Sequence, residues 1–318
     1  MVMKKLLGVC VAVLFLIGMV VPVYAADTKL VLSTGGTAGT YYPLGGAIAR
    51  IWNTKIPAMN VTAQTTGASA ENIRLVNKKE AELALVQSDT LDAAFNAKAP
   101  FTEAIKSMSV IAVLYPEIIQ VVVRTDSPIK SIADLKGKKV GVGAPGSGTE
   151  ANFRQLMDIY GLAKDDVKSQ YLSFSESAEQ FKDRHIDAFI VTAGIPNAAI
   201  MDIGTQHEIR ILNIPADMAA KLTGKYPFLA AAKVPAGTYK NQAQDVATVA
   251  VNAVLIAGND LSTDIVYSMT KALFDNQAEL ASAHAKGKEL NLQNAVKGVS
   301  IPFHPGALKY YKEKGAIK

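Results

Sequence analysis

Five times in this chain an apolar stretch runs into a short loop of small residues and then into a helical pattern. The loops are "STGGTAGTYY" (33–42), "TTGASAEN" (65–72), "VQSDT" (86–90), "GVGAPGSGTE" (141–150) and "VTAGIPN" (191–197). Strands that alternate with helices of this length form βαβ units, whose crossovers put the strands in one parallel sheet. In open sheets of this kind the loops after the strand ends share one rim, and ligands bind there. The loops fall in two groups, three before a long β-rich stretch at 107–126 and two after it. A second long apolar run lies at 245–260. The expected fold class is therefore α/β, with two lobes joined by crossings near 113–122 and 245–256.

Element by element, strands are expected at 29–34, 60–66 and 82–87, with a helix at 43–54 opened by Pro43, whose missing N–H costs nothing in a first turn. Ser69 is read as the N-cap of the next helix, and Ser88 as the start of the one after it. "SQYLSF", "DAFIVTA" and "EIRILNI" are read as strands, and 215–245 as irregular. The chain after 260 is read as mostly helical, capped at Ser262 and folded back over the first lobe. The boundaries this implies are 26–116 with 250–318 for lobe I and 117–249 for lobe II.

"MVMKK", a 15-residue apolar run and "VPVYAAD" have the layout of a secretory signal peptide, residues 1–25, with Val23 and Ala25 at the −3 and −1 positions of cleavage. The run is short for a spanning helix. It holds Cys10, the one cysteine, so the remainder can form no disulfide and no thiolate metal site. It also follows two lysines and no acid, so the rest of the chain carries 31 basic and 28 acidic residues, a net charge of +3. That balance, with no basic stripe, does not call for nucleic acid. An exported, cysteine-free chain of this size suits the periplasm.

The glycine loops invite nucleotide readings. "GVGAPG" (141–146) fits G-x-G-x-x-G after a strand, but Asp165 and Asp166 sit in a helix–strand connection and not at the end of the next strand. The opening loop lacks the Lys-Ser/Thr of a phosphate loop, since Thr40 and Tyr41 follow Gly39. "SGTE" (147–150) reads as a capping box, and its exposed N–H groups are also donors suited to an anion. Catalytic patterns are missing. His185, His207, His284 and His304 have no metal-ligand spacing, there is no G-x-S-x-G elbow, and "SPIK" lacks its partner motifs. The chain is thus expected to be no enzyme, with no metal and no cofactor. Arg124 is left as either a surface cap or a carboxylate clamp.

Six segments in order resemble the TAXI family: "STGGTAGTYYPLGGAIA", "TTGASAENIRLV", "ELALVQSDT", "LYPEIIQVVVR", "SIADLKGKKVGVGAPGSGTE" and "AGIPNAAI". These are the exported solute receptors of tripartite ATP-independent periplasmic (TRAP) transporters. The resemblance implies a type II periplasmic-binding-protein fold, with two hinge crossings and a C-terminal helical segment on the first lobe. It implies capture of an amino acid such as glutamate, or another small carboxylate, and delivery to TRAP membrane subunits by a monomeric receptor. Carried over by motif, the ligand-facing positions are Thr37, Gly39, Thr40, Tyr41, Ser69, Gln87 and Ser88 on one side. Across the cleft they are Ser147, Gly148, Thr149, Thr192 and Gly194, with Tyr115 at the crossing. Many members carry histidine where this chain has Gln120. For an amino group the acidic partner stays open between Asp89 and Glu117. Two other readings remain: a receptor of an ABC importer, and an exported enzyme acting on a small carboxylate.

Overall fold

The computed structural model describes residues 28–318; the expected signal segment and Cys10 lie outside them. Strands β1 (Thr28–Ser33), β2 (Met59–Gln64) and β3 (Leu83–Gln87) alternate with helices α1 (Tyr41–Lys55), α2 (Ser69–Asn77) and α3 (Ser88–Phe95). The long β4 (Met108–Arg124) follows. Then come β5 (Lys139–Gly141), α4 (Gly148–Ile159), β6 (Lys168–Gln170), α5 (Phe174–Lys182), β7 (Ala188–Ala193), α6 (Ala198–Gln206) and β8 (Ile209–Ile211). Helix α7 (Ala216–Lys225), β9 (Ala230–Val234) and the long β10 (Val246–Gly258) lead into α8 (Thr263–Asp275), α9 (Gln277–Ala283), α10 (Leu292–Ala295) and α11 (Pro305–Glu313).

All strands join one sheet in the order β2-β1-β3-β10-β4-β7-β5-β6, with β8 also on β4 and β9 on β10. Each end of the sheet is parallel, β2-β1-β3 on one side and β7-β5-β6 on the other. Between them β10 and β4 run antiparallel, pairing Gly258 with Met108 at one end and Ala250 with Ile118 at the other. Two register shifts in this ladder, at Ala253/Val254 and Leu255/Ile256, bend the ribbon where the ends diverge. Pro116 lies inside β4 opposite Asn252 and does not end the strand.

Helices cover both faces of each end. Near the first end, α1, α8 and α11 bury Trp52, Met269 and Tyr311 on one face, and α2 and α3 bury Ile73 and Leu91 on the other. Near the second, α4 and α7 bury Phe153, Leu156 and Leu222, while α5 and α6 bury Phe181 and Ile200. The C-terminal helices do return to the first end: Trp52 Nε1 donates to Met269 O at 2.9 Å, and the Tyr311 hydroxyl donates to Ile111 O at 2.8 Å.

Three local expectations are corrected. Residues 215–245 are not irregular throughout, since they contain α7 and the edge strand β9. "SQYLSF" is strand only to Gln170, because Ser173 caps α5 and Phe174 is already helical. Ser69 is the first residue of α2 and not its cap; Ala68 stands before it, and the Ser69 hydroxyl accepts from Gln87 N at 3.1 Å.

Candidate functional site

The two rims face each other across the β4–β10 ribbon and enclose a cavity of about 80 Å3. From the first end it is lined by Gly35, Gly36, Gly39, Thr40, Tyr41, Thr66, Gly67, Ala68, Ser69 and Gln87, with Glu117 from β4. From the second end come Ala144, Ser147, Gly148, Thr149, Ser173, Phe174, Thr192 and Ala193. The amino ends of α1, α2, α4 and α5 therefore border one small space. Their first N–H groups have no intrahelical acceptor, so the space is rich in donors and in partial positive charge.

Local sequence explains these loops. After β5 the chain turns through Gly143 at φ 97°, a conformation that L side chains rarely adopt, and a Cβ there would also meet the Ser147 hydroxyl and Thr149. Ser147 then caps α4, accepting from Glu150 N at 3.1 Å. The reciprocal arm of the expected capping box is displaced: the Glu150 carboxylate takes Gly146 N–H, at 2.7 Å, and not that of Ser147. At α2 the entry is strained, with Ala68 held at φ 72° and ψ −144° beside the cavity. Backbone held in such a region costs on the order of 1–3 kcal/mol and gathers at ligand clamps.

Of the positions expected from the motifs, Gly39, Thr40, Tyr41, Ser69, Gln87, Ser147, Gly148, Thr149 and Thr192 line the cavity. Four do not. Thr37 is exposed at the loop tip. Ser88 is buried behind Gln87, its hydroxyl without a protein partner. Tyr115 lies beneath the floor and donates to Glu117 Oε1 at 3.4 Å. Gly194 meets the opposite rim directly, donating its N–H to Thr40 Oγ1 at 3.1 Å. Sequence reasoning left out Ser173 and Phe174, although "SFSE" (173–176) is itself a capping-box signal for a helix start.

Glu117 is the one acid that lines the cavity. It is 2% exposed. The Tyr41 hydroxyl donates to its Oε2 at 2.8 Å. Burial raises its carboxyl to about 8, against the opposing pull of hydrogen bonds from Tyr41, Gln87 and Tyr115. Burial and the nearby Glu117 charge also push both tyrosines well above their ordinary range, so they stay neutral donors. Asp89 does something else. Its Oδ2 accepts from Asn152 Nδ2 and Gln155 Nε2 of α4, both at 3.0 Å, and its Oδ1 accepts from Thr90 N.

That carboxylate is part of a seam between the rims. Asn197 Nδ2 donates to Ala38 O at 3.0 Å, and Ala70 N donates to Gly146 O at 3.1 Å. Close packing completes it, since a Cβ on Gly148 would overlap the Gln87 side chain and one on Gly194 would come within 2.7 Å of Lys286 Cγ. The two rims are closed on each other.

Arg124 and Gln120 are turned to other work. Arg124 stacks on Phe181 and donates to Phe181 O and Ile186 O at 2.7 and 2.9 Å, so it braces α5 and clamps no carboxylate at the cavity. Gln120 accepts from the Tyr239 hydroxyl at 2.6 Å, away from the lining. Among the described residues no group of three or more His, Cys, Asp and Glu is placed to hold a metal ion, and no helix is long and apolar enough to cross a membrane.

The family model described as NMT1-like family matches residues 32–315, which span every element that builds the cavity. The chain belongs to the NMT1-like family. Solved structures share its fold. One is a protein of Bordetella bronchiseptica RB50, 17% identical over 91% of this chain and 89% of that one, with a TM-score of 0.56. Another is the alkanesulfonate-binding protein SsuA of Xanthomonas axonopodis pv. citri bound to MOPS, 14% identical over 91% and 92%, with a TM-score of 0.53. A third is an ancestral arginine-binding protein bound to arginine, 14% identical over 83% and 98%, with a TM-score of 0.50. This NMT1-like chain thus has the mixed α/β fold of these structures, with β4 and β10 running between the two ends of its sheet and the C-terminal helices on the first end.

Proposed function

We propose that this chain is an exported solute receptor and not an enzyme. It would take a small carboxylate or amino acid between its lobes in the periplasm and deliver it to membrane transport subunits. The observation that carries this reading is the closed cavity itself, lined from both rims by helix amino ends and by buried polar side chains, of which Gln87 Oε1 and Thr192 Oγ1 have no protein partner. Buried polar atoms are normally paired, so polar groups left free beside a cavity suit contacts from a bound molecule. A solute touching both rims makes contacts that exist only when they meet, and it shifts the open–closed population by that difference.

On this reading lobe I is 26–116 with 250–318, lobe II is 117–249, and the receptor acts as a monomer behind a signal peptide at 1–25. The six TAXI-like segments favour TRAP subunits as the partner. The fold shared with an alkanesulfonate-binding and an arginine-binding protein keeps an ABC importer as the second reading. Protein unfolded and refolded to strip carried solute, then screened by thermal shift against amino acids, dicarboxylates, 2-oxoacids and short-chain fatty acids, tests the proposal. A ligand at about 100 times its Kd adds roughly 2.7 kcal/mol. Scattering should show compaction with the same compound. No shift with any of these anions would overturn the reading. Uptake that requires an ion gradient and no ATP would separate the TRAP partner from the ABC one.

A further inference from the structure

We infer, resting on the receptor reading above, that Glu117 is the ammonium-binding group of the cavity, so that the solute is an amino acid and not a plain carboxylate. Three observations converge. First, the two acids left open by the sequence differ in occupation. Asp89 is spent on α4 and on its own helix start, and it does not line the cavity. Glu117 lines it, and among the described residues no lysine, arginine or histidine pairs with it. A buried carboxylate without a cation is costly, and an ammonium from the solute supplies the missing charge.

Second, an ammonium brings three donors and needs three acceptors. Gln87 and Thr192, 3% and 4% exposed, border the same cavity, and Gln87 Oε1, packed against Gly148, and Thr192 Oγ1 have no donor in the protein. Third, the rest of the lining has the opposite polarity. The N–H groups of Gly148 and Thr149 at the start of α4, with the Thr149 hydroxyl, suit a carboxylate. The cavity thus holds N–H donors for a carboxylate together with acceptors on Glu117, Gln87 and Thr192 for an ammonium, the set of groups that a zwitterion needs.

The groups around Glu117 leave it as the titrating centre. Tyr41 from α1 and Tyr115 from β4 stay neutral, β10 faces it with Val251, and Asp89 on α3, its own carboxyl raised by burial against the pull of its donors, adds to the rise at Glu117. The Lys286–Glu289 pair lies beyond Tyr115 and closes on itself at 2.5 Å. With its carboxyl near 8 in the free protein, Glu117 must release a proton to meet an ammonium. Amino-acid affinity therefore rises up to tenfold per pH unit from 6 towards 8. A carboxylate that accepts a hydrogen bond from protonated Glu117 would show the reverse, flat below 8 and weakening above.

The test is calorimetry on stripped, refolded protein with L-amino acids, each beside its matched 2-oxo and 2-hydroxy acid, at pH 6, 7 and 8. The expected result is one or more amino acids bound at least about 30-fold tighter than their matched acids. The affinity should rise with pH, and Glu117→Gln should erase most of the preference while keeping the native circular dichroism. If Glu117→Gln does not fold, Glu117→Asp replaces it, with a smaller loss of preference expected. A matched acid that binds equally well, a preference that survives the substitution, or affinity that falls with pH overturns the assignment and leaves the receptor reading in place. No binding by any compound in the panel overturns both.

Discussion

The two rims of the cavity are built from different materials. The first end of the sheet contributes long functional side chains, with Tyr41 and Gln87 over the buried carboxyl of Glu117. The second contributes backbone and short hydroxyls, namely Ser147, Gly148 and Thr149 before α4 and Thr192 after β7. Side chains differ from one solute head to another in what they accept, whereas N–H groups treat all carboxylates alike. The contrast assigns most of the choice to Glu117 and Gln87, with Thr192 adding one acceptor, and closure to the second rim.

The largest effect that could break this division is electrostatic. Glu117 has its folded carboxyl raised to about 8 from an ordinary value of 4.5, so the folded protein binds that proton more tightly than the unfolded chain does. Its contribution is fully present below 4.5 and is lost as pH rises through 8, at about 1.4 kcal/mol per unit where the slope is steepest and a few kcal/mol in total. Denaturant melts of solute-free protein between pH 5 and 8 should show that fall, and Glu117→Gln should flatten it. A parallel slope in both proteins would mean that the first rim does not hold the charge.

Next in size is closure. Gly148→Val puts a branched side chain where Gln87 packs, at an overpacking cost of about 1–3 kcal/mol that falls on the closed state alone. Affinity should drop by roughly 5- to 150-fold, with compaction lost in scattering and the melting temperature of solute-free protein nearly unchanged. A smaller step is Ser147→Ala, which removes the α4 cap for about 1 kcal/mol of stability. It should weaken an amino acid and its matched 2-oxo acid by the same factor, because Ser147 supports the α4 donors that both carboxylates share. The smallest is Ala68→Gly on the first rim. Relief of the strained backbone exceeds the entropy it adds to the unfolded chain by less than about 1 kcal/mol, so the melting temperature should rise slightly.

Much of this architecture was legible in the chain because small-residue loops punctuate apolar strands at helix length, and the two long apolar runs at 107–126 and 245–260 are rich in β-branched residues. What differs is lightly buried. Helix α7 buries little beyond Ala219 and Leu222, and β9 is an edge strand with Ala230 and Ala231 exposed, so neither stands out as an apolar run. The "SQYLSF" strand was overrun because a capping box at Ser173 was read as strand continuation. At the site, loop residues followed from strand ends, whereas Thr37 and Tyr115 depend on how a loop folds over and which side of a strand faces down. Glu117 was visible only as a charge inside "VLYPEIIQVVV". Its burial and its two tyrosine partners come from α1 and β4 meeting, which no local pattern encodes.

Strands β4 and β10 feed every hydrophobic cluster in the molecule. Ile111 and Leu255 belong to one, Val113 and Val254 to a second, Val121 and Val251 to a third, and Val122 and Ala250 to the fourth. The ladder between them joins residue 117 to residue 251, so it cannot form until most of the chain is present. Until then β3 lacks its neighbour on one side, and each end of the sheet exposes a raw edge. The floor of the cavity lies on that ribbon, so the site cannot form before the ladder does. High contact order of this kind makes folding slow.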